Sequence, residues 1–123
     1  MGRYVDGFVV PVKKDRLDEY KKLAKLASQV WRDHGALEYM EAVADDVDVG
    51  KRTSFPRSVK LKDDEIVIFA FITYKSRAQR DKVNKAVMAD PRFADLLENK
   101  DLPMDGKRMF WGGFKGLVEA GLP

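Results

Sequence analysis

Apolar and polar positions alternate from Tyr4 to Val12, the two-residue period of a strand with one face in a core, bounded by Pro11 and the Lys13-Lys14-Asp15 cluster. From Leu17 the period changes. Leu17, Tyr20, Ala24, Ala27, Trp31 and His34 recur at three- and four-residue intervals, one stripe of a long helix that Leu23 and Val30 widen. Asp15 is expected to cap its start, Asp18 and Glu19 suit the positive end of its dipole, and Gly35 suits a left-handed residue after its end. Ala36 to Val43 reads as a second strand, with Leu37, Tyr39, Glu41 and Val43 on one face and Glu38, Met40 and Ala42 on the other.

Asp45 to Asp64 is polar, irregular and longer than an ordinary connection, the kind of loop that often carries function. Glu65 to Tyr74 is β-branched and aromatic with apolar side chains on both faces, a central strand. Ser76-Arg77-Ala78-Gln79 is a capping box and predicts a helix to about Ala89. Asp90-Pro91 opens a short helix carrying Phe93, Leu96 and Leu97, and Asp105-Gly106 turns the chain into a last strand from Arg108 to Val118.

The order strand, helix, strand, strand, helix, strand predicts an α+β, ferredoxin-like βαββαβ fold with a four-stranded antiparallel sheet, one domain over residues 1–123. Two helices cover one face of such a sheet, yet the third strand is apolar on both. A second copy packed against the uncovered face satisfies this, so a homodimer through the sheet, a dimeric α/β barrel, is expected.

Composition narrows the chemistry. The absence of cysteine removes disulfides, thiolate nucleophiles and sulfur-ligated metals. The 23 basic and 20 acidic residues give a net charge of +3, too small and too dispersed for a phosphate-tracking surface. No apolar run reaches the about 20 residues of a membrane helix, and Asp6 interrupts any secretory signal near the start, so a cytoplasmic protein is expected.

Tyr4 to Phe8, Trp31 with His34 to Tyr39, Thr53 to Pro56, Met88 to Arg92, and Asp105 to Met109 with Gly112 to Phe114 stand out as words in a fixed order. Together they resemble a bacterial family of unknown function typified by the enterobacterial YbaA protein, within the dimeric α/β-barrel superfamily. The resemblance covers nearly the whole chain. It implies the fold and brings no established reaction. Some relatives in the superfamily are cofactor-free monooxygenases or haem-degrading enzymes, with a cavity between sheet and helices, which is analogy at the level of fold.

His34 is the only histidine and hence the first candidate for a general base, with Trp31 one turn earlier and Glu38 and Tyr39 following; a histidine in a last helical turn is equally served by the dipole. Asp6, Glu38 and Glu41 sit on expected strands. If Asp6 shares a face with Phe8 and Val10, burial raises its pKa and makes it a catalytic candidate beside His34 and Tyr39; pairing with Arg3, Lys107 or Arg108 is the structural alternative. Arg57, with Ser54 nearby in the long loop, and Arg108 are candidate substrate-binding groups, and Trp31 a candidate wall. Asp45, Asp46 and Asp48 fail the calcium-loop spacing, and the glycines of Asp105 to Gly113 fail the phosphate-loop pattern, so neither a metal nor a cofactor is expected.

The first functional expectation is a small-molecule-binding protein or cofactor-independent enzyme with a pocket between sheet and helices, the long loop acting as lid. The alternative is a non-catalytic dimeric module, structural or stress-related. RNA binding ranks third, because no strand carries the aromatic RNA-recognition signature and the dimer would bury the stacking platform.

Overall fold

The computed structural model describes residues 2–121. The strands are β1 (Tyr4–Lys13), β2 (Glu38–Val43), β3 (Glu65–Tyr74) and β4 (Phe110–Lys115), and the helices are α1 (Leu17–Asp33), α2 (Phe55–Ser58), α3 (Arg77–Met88) and α4 (Pro91–Glu98). The sheet runs β2-β3-β1-β4, every neighbouring pair antiparallel. This is the ferredoxin-like arrangement expected from the sequence.

Boundaries moved where local chemistry ruled. A 3-10 turn (Lys14–Arg16) precedes α1, and Asp15 lies inside it, so no side chain caps that helix. Gly35 does take the left-handed conformation, φ 115°, which lets the chain reverse into β2. Ser76 Oγ accepts from Gln79 N at 3.1 Å, while the Gln79 amide reaches the Lys75 N–H and the Gly35 carbonyl, so this capping box also ties the end of α1 to the start of α3. The last strand is shorter than expected because Arg108 is engaged elsewhere and the chain peels off the sheet after the Gly116 N–H donates to Arg3 O.

Register sorts the sheet into two faces. Tyr4, Asp6, Phe8, Val10 and Val12 face α1, α3 and α4, together with Ile66, Ile68, Ala70, Ile72 and Tyr74 across β3. Val12, Val30, Tyr74 and Val87 are fully buried there. On the opposite face Val9 and Val67 pack with Val59 from the long loop, and Ala44 and Leu61 lean on them. The loop therefore covers one end of the face remote from the helices. It cannot serve as a lid over a pocket between sheet and helices.

The rest of that remote face is bare. Among the described residues Met40, Phe69, Phe110 and Phe114 are 45–65% exposed, and Phe55 of α2 is set edge-on against Phe69. Gly7 and Gly112 are register partners in its middle; the space over Gly7 is open, while the Phe114 ring lies alongside Gly112.

Candidate functional site

A cavity of about 270 Å³ lies between the helix face of the sheet and the helices, just under the ~300 Å³ at which small-molecule pockets commonly begin. Its floor is Phe8, Val10, Ala70, Ile72 and Trp111 of the sheet; its walls include Leu23, Ala27 and Trp31 of α1, Met88 of α3 and Phe93 of α4. Small residues at 24, 27 and 70 keep the space open, where larger side chains would close it. Trp31 meets Phe93 edge-on at 5.1 Å and Tyr39 at 6.1 Å, so aromatic edges and faces dominate one end.

Two carboxylates reach this apolar space. Asp6, 1% exposed, pairs with Arg80 of α3 at 3.0 Å and accepts from the Tyr74 hydroxyl at 3.1 Å. Burial raises its pKa above the ordinary carboxylate value, and the Arg80 charge and the hydrogen bonds pull it part of the way back. Arg80 also donates to the Tyr4 hydroxyl and lies 4.9 Å from the centre of that ring and 6.0 Å from Trp111. Its Nε sits 3.0 Å from Asp81 Oδ1 but off the line of its N–H, a charge contact without a hydrogen bond.

Glu41, on β2, accepts from two phenols at once. The Tyr20 hydroxyl of α1 donates to one oxygen and the Tyr39 hydroxyl to the other at 2.6 Å. Burial, then the Glu41 charge, drives both tyrosine pKa values far up, so both phenols stay protonated and keep donating. Asn84 of α3 completes the polar rim, accepting from the Trp31 indole N–H at 3.1 Å.

Of the residues singled out from sequence, Asp6, Tyr39, Glu41 and Trp31 line this cavity together, while Glu38 lies outside it and pairs with Arg3 at 2.7 Å. His34 does not. It closes α1 and turns to Asp90, the cap of α4, with Nε2 to Oδ2 at 2.8 Å; Arg92 donates to the same carboxylate. Arg92 first and His34 second hold the Asp90 pKa well below its ordinary value. Stability from this cluster is therefore present above the ordinary 3.8 and is lost as pH falls through the depressed value. His34→Ala is expected to lower the thermal midpoint and loosen the junction of α1 and α4, and, because Phe93 of α4 walls the cavity, to weaken ligand binding modestly rather than abolish it, measured by melting and titration side by side.

Arg108 is fully engaged, donating to Asp105 at 2.8 Å, to the Val59 and Lys60 carbonyls at 3.0 and 3.2 Å, and to Glu65 at 2.8 Å. The Arg108 contact is the main cause that lowers the Glu65 pKa. Arg57 gives its donors to the Val49 and Gly50 carbonyls, and Ser54 caps α2 by accepting from Arg57 N. Arg108 ties the long loop to β3, whereas Arg57 and Ser54 hold the loop to itself, and none of the three lines the cavity. Arg80, Tyr20 and Asn84 were not singled out for chemistry. A signal existed for the first: Arg80 falls on the same stripe as Val83 and Val87, where a charge needs a buried partner.

A family model described as "Protein of unknown function (DUF1428)" matches residues 3–106. The chain belongs to that family. The protein called YbaA in Escherichia coli strain K12 is 42% identical over 117 residues, covering 95% of this chain and 98% of YbaA, and the Shigella flexneri YbaA is equally similar. Among solved structures, a NIPSNAP family protein of unknown function from Agrobacterium tumefaciens superposes with a TM-score of 0.63 at 14% identity, covering 98% of this chain and 94% of its own. A dimeric ferredoxin-like protein from an uncultured marine organism gives 0.58 at 12% identity (98% and 100%). An antibiotic biosynthesis monooxygenase-like protein from Nitrosomonas europaea gives 0.60 at 17% (98% and 97%). At such identities these likenesses speak for the fold. Among the described residues no helix is long and apolar enough to cross a membrane.

Proposed function

We propose that this DUF1428 protein binds a small, mostly apolar molecule in the cavity between sheet and helices. The observation that carries the reading is an apolar chamber into which a few polar groups converge, the usual build of a small-molecule site. Asp6, Tyr39 and Trp31 are assigned to the ligand, and His34, Ser54, Arg57 and Arg108 to the scaffold. If the bound molecule is turned over without a cofactor, Asp6 is the proton carrier, since burial moves its pKa toward the working pH of a general acid or base. The name of the Nitrosomonas structure suggests oxygenation as the reaction class to try first.

Filling the chamber tests the reading. Ala70→Leu adds bulk on its floor and is expected to abolish the binding of small aromatic fragments seen by saturation-transfer NMR, with the fold retained by circular dichroism. Equal fragment binding by the two proteins would put the ligand elsewhere.

A homodimer through the bare sheet face is the second element of the proposal, favoured by the exposed Met40, Phe69, Phe110 and Phe114. Sheet-to-sheet pairing leaves the helices, and with them the cavity, on the outside of the pair. A purely structural or stress-related dimer is the competing reading, and it predicts no ligand at all. The enterobacterial source of its relatives favours a bacterial protein, for which the cytoplasm stays the proposed compartment.

A further inference from the structure

The ligand class follows from counting donors and charges around the cavity, and it rests on the cavity being a binding site. Each phenol has one proton to give. Tyr20 and Tyr39 both spend theirs on Glu41, so what they offer a ligand is an oxygen lone pair. Three acceptors, one carboxylate and two phenol oxygens, thus meet at one end of the chamber. No lysine, arginine or histidine is among the residues lining it. Asp6 has Arg80 as its counter-charge, whereas Glu41 has no cation within 4.0 Å among the described residues. A half-buried carboxylate supported only by neutral donors is incompletely compensated, and a cation entering beside it recovers what desolvation cost.

We propose that the natural ligand is an organic amine in its ammonium form carrying an apolar, aromatic-sized body. An ammonium has several donors and no acceptor, the complement of the Glu41, Tyr20 and Tyr39 oxygens. The rings of Trp31 and Tyr39 supply faces that attract a cation as well as an apolar wall. A carboxylate or phosphate ligand would find like charge there, with only the neutral Asn84 amide and Trp111 indole among the lining residues as donors in place of a cation.

The test uses three molecules of one shape: 2-phenylethylamine, 2-phenylethanol and phenylacetate. Each is titrated into the full-length protein by calorimetry, with the Trp31 and Trp111 indole signals in ¹⁵N NMR as reporters of the chamber. The amine is expected to bind at least tenfold more tightly than the alcohol, and phenylacetate more weakly than either. In Glu41→Gln, whose one amide oxygen still accepts from one tyrosine while its NH2 donates to the oxygen of the other, that tenfold preference is expected to vanish while affinity for the alcohol holds. The ranking in the unaltered protein decides by itself if Glu41→Gln does not fold. Alcohol or phenylacetate binding as tightly as the amine, with the indole signals moving, overturns the amine class and leaves the cavity reading standing. Failure of all three to move the indole signals removes the cavity reading and the inference together.

Discussion

Asp6→Ala is expected to destabilise the protein by about 3–5 kcal/mol, the usual penalty for breaking a buried ion pair from one side. The Arg80 guanidinium is nearly buried, packed over Tyr4, and cannot shed its charge. Its remaining ionic contact, Asp81, is 60% exposed and poorly aligned, so it compensates little. Arg80→Met is expected to cost less, because the orphaned Asp6 can take up a proton while a guanidinium cannot release one. That difference has a pH signature.

Asp6 has a folded pKa above its ordinary 3.8, so its protonated form favours the fold: the contribution is fully present below 3.8 and is lost as pH rises through the folded value. Arg80 is the strongest influence holding that value down, and its removal lets burial raise it further. The Arg80→Met penalty is therefore largest near neutral pH and shrinks on acidification toward 3.8, whereas the Asp6→Ala penalty has no such relief. Urea unfolding of both variants at pH 7 and pH 4.5 measures this. Two variants that each lose under about 0.5 kcal/mol, the range of ordinary surface substitutions, would show that the pair is solvated rather than buried.

Strand and helix identity was legible because each element carries its own period. Glu65 to Tyr74 was read to the residue, since β-branched and aromatic side chains crowd it and turn-forming residues bound it. The long loop was legible as a loop but not as a cover: Val59, 1% exposed, meets Val9 and Val67 only after the sheet has formed, and nothing in its local sequence says so. The candidate site divides the same way. Asp6 could be found from strand alternation alone, because an acid on the face of Phe8 and Val10 must be either paired or perturbed. Its partner could not be named, since Arg80 lies 74 residues away and sequence alone offered Arg3, Lys107 and Arg108 equally. His34 misled for the opposite reason. A lone histidine invites a catalytic role, but the direction of its ring depends on where the cap of α4 comes to rest.

Phe69→Glu is expected to convert a dimer into monomers without unfolding them. Phe69 lies on a central strand, 45% exposed, in a cross-sheet row of Ala42, Phe69, Val9 and Phe110. Its one described aromatic contact is the edge of Phe55, so little folded structure depends on its ring. The adjacent row holds Met40, Phe71, Gly7 and Gly112, and the open space over Gly7 is one that a partner's ring can fill beside Phe114. In a two-fold pair every substitution enters twice. A central aromatic anchor contributes about 2 kcal/mol or more, so two losses weaken association by about a thousandfold, before counting the desolvation of two glutamates. Sedimentation equilibrium over a wide concentration range reads the change directly, with circular dichroism as the check on folding. A wild-type protein that stays monomeric at high micromolar concentration, or a Phe69→Glu protein that dimerises as well as the parent, would leave the bare face without its second copy. The aromatic surface would then need a different occupant, because a patch of this size and composition facing water is an aggregation hazard in a stable monomer.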